Sequence, residues 1–111
     1  MNISVDPHPL LEIRLLSCVF PEGLARESSD QVRGFFDREA AAPIAPDEDT
    51  KKHIRDLLRH GGFKPSGRSK PASEYLIKAA EGGFLGPINP AVDVCNAVSL
   101  HSGLPISVVD L

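Results

Sequence analysis

The chain has 111 residues, 41% of them hydrophobic and 24% charged, with a formal net charge of −3. Those values fit one globular domain with a core of its own, and the overall charge does not by itself ask for a nucleic-acid partner. Two distant cysteines, Cys18 and Cys95, give no disulfide framework and are expected as reduced, buried thiols. No signal-peptide pattern opens the sequence and no apolar run approaches the ~20 residues of a membrane helix, so a cytoplasmic protein with no membrane contact is expected.

Residues 1–9, with Pro7 and Pro9, read as an extended lead-in. Glu12 to Val19 alternates charged and apolar positions and predicts a strand, closed by Pro21-Glu22-Gly23. Ser28 to Ala41 predicts a helix with Ser28 or Ser29 as cap and Val32, Phe35 and Phe36 on one face. After a linker over Ala41 to Pro46, Asp47 to His60 predicts a second helix, acidic at its start, basic at its end and stopped by Gly61-Gly62. A polar loop from Lys64 to Lys70 leads to a third helix over Pro71 to Glu81. Asn89-Pro90 opens a fourth, running to about His101, and the β-branched run Ile106 to Val109 predicts a second strand. The fold class expected is α/β (α+β), helices packed on a small sheet in one domain over residues 1–111.

The nucleotide-binding, serine-hydrolase and zinc-protease signatures are absent. No metal and no cofactor is expected. His53 and His60 are separated by about 10 Å of helical rise, too far for one ion. Cys95 and His101 are rotated by about 240° on one helix, which argues against a dyad. Residues 51–70 hold Lys51, Lys52, Arg55, Arg59, Lys64, Arg68 and Lys70 against Asp56 alone, a basic patch on an acidic body. It reads either as a polyanion contact or as a solvated helix face. Asn89, Asp93 and Asn96 share one stripe of the fourth helix. Such a stripe either ties down the helix cap or lines a polar pocket.

From Phe63 to Leu111 the chain resembles the tRNA-editing (B-three/B-four) domain of the phenylalanyl-tRNA synthetase β subunit, and in wording its free-standing relatives. The likeness rests on Ser69, Leu76, Pro87-Ile88-Asn89, Val92-Asp93 with Asn96, Gly103-x-Pro105 and Asp110, in that order. It implies an α/β domain that recognises the aminoacylated end of tRNA and hydrolyses the mischarged ester in the service of translation fidelity. By position Asn96 matches the family's pocket asparagine. Cys95 stands where the family has threonine, and Ser107 where it has histidine. The resemblance thus implies a site of Asn96, Cys95 and Ser107, supported by Asn89 and Asp93. The family's later pocket residues fall beyond Leu111, so the chain is expected to be the N-terminal half of a larger editing-type domain.

Three readings stay open. One is an aminoacyl-tRNA ester hydrolase that lacks any synthetase catalytic core. The second is a non-catalytic tRNA or amino-acid binding module that uses the Lys51–Lys70 cations. The third is a fragment completed by its second half or by a second copy that closes the sheet.

Overall fold

The computed structural model describes residues 2–63 and 70–110, and among these it contains four helices and no strand. They are α1 (Asp30–Gly34), α2 (Thr50–His60), α3 (Ala72–Glu81) and α4 (Pro90–Ser102). The expected α/β architecture is therefore corrected: no sheet lies under the helices. Both stretches predicted as strands, Glu12–Val19 and Ile106–Val109, lack backbone–backbone hydrogen bonds among the described residues. Alternating hydrophobicity specifies which faces a strand would have, but a strand exists only with a neighbour to pair with. Among the described residues neither segment is hydrogen-bonded to a neighbouring strand.

α1 is much shorter than the predicted Ser28–Ala41. Ser29 caps it through its Oγ, which accepts from the Val32 N–H at 3.3 Å. Gly34 then weakens the helix, and the Phe35 and Phe36 N–H groups turn back onto carbonyls three residues earlier, at 3.0 and 3.1 Å. α2 and α3 end alike. The Phe63 N–H reaches the Leu58 carbonyl and Gly62 reaches Arg59; Phe84 reaches Ala79 and Gly83 reaches Ala80. This is the Schellman closure, and it needs the left-handed backbone seen at Gly62 (φ +87°) and Gly83 (φ +74°). The prediction that Gly61-Gly62 stops the second helix is met, and Gly82-Gly83 closes α3 in the same way.

α4 is the hub, in contact with both α1 and α3. Asn89 Oδ1 accepts from the Val92 N–H at 2.9 Å, with Pro90 at the first helical position. Among the described residues Ile54, Ala97 and Leu100 are buried, with Pro71 and Pro90. Around them lie buried polar groups, Ser28, Thr50, Ser73, Asp93, Ser99 and His101. α2 is pinned to α3 by a bidentate bridge from Arg55 Nε and Nη2 to the Glu74 carboxylate, at 2.9 and 2.8 Å. No helix among the described residues is long and apolar enough to cross a membrane.

Candidate functional site

The polar stripe of α4 is built from the helix start. Asp93 falls in the first turn, where a carboxylate is favoured by the free N–H groups and the helix dipole. It is completely buried (0% exposed). Its Oδ2 accepts from the Ser28 hydroxyl at 2.6 Å and its Oδ1 from the Ile88 N–H at 2.8 Å. One carboxylate thus ties the segment before α1 and the Pro87-Ile88-Asn89 turn to α4. With Asn89 spent on the cap, two of the three stripe residues act as a structural network.

One turn further along α4, Cys95 and Asn96 are half-buried. The Cys95 Sγ lies 3.5 Å from the Ile106 carbonyl, so residues 106–107 lie over α4 at this point. Ser107 is exposed and adjoins that contact. The structure thus brings the Ile106 carbonyl to Cys95, and the Asn96 amide makes no hydrogen bond among the described residues. Burial pushes the Cys95 thiol up from its ordinary pKa, so near neutrality it is a protonated thiol, a poor nucleophile. No imidazole joins it. His101 is buried on another side of α4, its Nε2 at 2.8 Å from the Phe35 carbonyl and its ring edge-on to Phe35 at 5.7 Å. Because a carbonyl only accepts, Nε2 carries the proton. Cys18, expected buried, is exposed.

A shallow depression of about 370 Å³ lies elsewhere, lined by residues 24–27, Pro87, Ile88 and Asp93. Both oxygens of that carboxylate are already engaged.

The cations resolve into two groups. Lys64 and Arg68 lie outside the described residues. Lys51, Lys52, Arg55 and Arg59 fall within about 100° of arc on α2. Arg55 is held by Glu74, which also meets Lys51 at 3.7 Å. Lys52 and Arg59 share Asp56, at 2.7 and 3.2 Å. The hydrogen bond from Arg55 holds the Glu74 carboxyl below the usual range, and that from Lys52 does the same for Asp56. Lys51, Lys52 and Arg59 nevertheless keep 68%, 71% and 54% of their side chains in solvent. Lys70 is half-buried and makes no ion pair among the described residues. Neither the Ser28–Asp93 bond nor the Arg55–Glu74 bridge had a sequence signal, because each joins residues on separate elements.

The chain matches no protein-family profile, no curated protein and no solved structure.

Proposed function

We propose that the chain is a non-catalytic RNA-binding module of the tRNA-recognition kind, which holds the tRNA backbone on the cationic face of α2. The observation that carries this reading is the arc of Lys51, Lys52, Arg55 and Arg59, three of them largely solvated although paired. Exposed pairs of this kind contribute little, so a phosphate backbone, with its higher charge density, readily displaces their carboxylates. Lys70 extends the same charge towards α3. Binding without turnover is favoured by a Cys95 thiol that burial keeps protonated and by the lack of an imidazole near it.

The test is titration of unacylated tRNA across a range of salt. Affinity is expected to fall steeply with salt. The triple variant Lys51→Ala/Lys52→Ala/Arg59→Ala is expected to flatten the log–log slope by about 2 to 3 units. Salt-insensitive binding, or none, overturns the reading. One observation favours the hydrolytic alternative: the approach of the Ile106–Ser107 segment to Cys95 beside a free Asn96 amide. Deacylation of mischarged tRNA above background, abolished in Asn96→Ala, would replace binding with editing.

A further inference from the structure

The described surface holds one feature that the RNA-binding reading leaves unused. The chain exposes 8517 Å², whereas a folded monomer of 11.9 kDa exposes about 5,900 Å². Its radius of gyration is 15.2 Å, against about 13 Å for a compact domain of this length. The excess over the whole chain is roughly 2,600 Å². Exposed apolar side chains are dense in the segment before α1. Leu10, Leu11, Ile13, Leu15, Leu16 and Val19 are all exposed, Leu11 to 42%, Ile13 to 46% and Leu15 to 62%. From residue 11 to 19 the backbone makes no backbone–backbone hydrogen bond among the described residues. An unpaired extended backbone beside apolar side chains is the template to which another chain adds.

The charges in this segment select the occupant. Glu12 and Arg14 are the ionisable residues within it, and they pair with each other at 2.5 Å while largely solvated. If two such segments run antiparallel about a two-fold axis at Ile13, each Glu12 meets the Arg14 of the other copy. Leu11 then meets Leu15, and Ile13 meets Ile13. All the apolar partners fall on one face and both charge pairs on the other. A two-fold interface is self-complementary in this sense. The other exposed apolar run, Leu104 to Val109, adjoins one charge, Asp110, and no cation that would meet Glu12.

We propose that two copies of this chain associate through residues 11–15, antiparallel about a two-fold axis at Ile13, to form an intermolecular two-stranded ribbon. The helical fold of each copy is unchanged by it.

The experiment uses the whole chain. Sedimentation equilibrium is expected to give twice 11.9 kDa at micromolar concentration. Glu12→Arg sets like charges opposite one another at two places and is expected to weaken the dimer by about tenfold. The double variant Glu12→Arg/Arg14→Glu restores the pairs and the affinity. In a Cys18→Ser background, Ile13→Cys is expected to cross-link across the axis under mild oxidation, because facing residues lie about 4.5 to 5.5 Å apart at Cα. Leu16→Cys is expected not to, since its two copies are about 20 Å apart in this register. A monomer at all concentrations overturns the proposal, as do open-ended aggregates, a dimer indifferent to charge reversal, or equal cross-linking at positions 13 and 16. RNA titration of the Glu12→Arg variant separates the two proposals, because the α2 cations are untouched by it.

Discussion

A buried carboxylate is tolerated only where its hydrogen bonds replace water. Asp93 meets that condition with two, one from a side chain 65 residues away and one from the backbone of the turn before α4. Removing it strands the Ser28 hydroxyl and the Ile88 N–H in the interior, and unpaired buried donors are costly. Asp93→Ala is therefore expected to lower stability by about 3 kcal/mol in urea unfolding. Asp93→Asn, which keeps an acceptor of the same shape, is expected to lose less than half of that. Equal losses in the two variants would mean that the carboxylate's acceptors are not what matters. The polar stripe of Asn89, Asp93 and Asn96 was legible in the sequence as a helix periodicity. Its purpose was not, because Ser28 is brought to it by the fold and no local pattern points there. Asn89 is the opposite case: a capping asparagine followed by proline is a local device, and it could be read off directly.

At the scale of elements, what local chemistry dictates was legible and what depends on a neighbour was not. Both glycine pairs end their helices as expected, because the left-handed turn is a property of those residues themselves. Glu12–Val19 forms no strand because its alternation is real but no backbone pairs with it among the described residues. The basic patch shows the same limit. Its cations were visible, but Glu74, which neutralises part of it, belongs to the next helix. The Arg55–Glu74 bridge joins α2 to α3, and it carries a pH dependence. The Glu74 pKa is lowered in the folded chain by the hydrogen bond from Arg55. Its contribution is thus fully present above the ordinary glutamate pKa of about 4.3 and is lost as pH falls through the lower folded value. Glu74→Gln is expected to be less stable than the wild type at neutral pH and to converge with it as pH falls below the lowered Glu74 pKa. A stability gap that persists in acid would show that the glutamine disturbs packing and that the bridge is not what holds the two helices.

For the whole molecule, the decisive quantity is the surface left over once four helices have packed. A core of Ile54, Ala97 and Leu100 centred on α4 is small for 111 residues, and the apolar residues that could enlarge it are held outside, before α1 and after α4. Stability must then be uneven along the chain, highest where α4 meets its neighbours and lowest where the backbone has no partner. Amide exchange reads this directly. At a dilution where sedimentation gives a monomer, amides 11–19 are expected to exchange at rates near those of an unfolded peptide. Those of Ala97 and Leu100, inside the α4 ladder, exchange only by global opening. As concentration rises, protection should appear over residues 11–15 first and should track the fraction of dimer, while α4 is little affected. Protection of 11–19 that is already present in the dilute monomer would mean that the segment pairs within its own chain. The unpaired backbone on which self-association depends would then not exist, and the helical description would need a strand added to it.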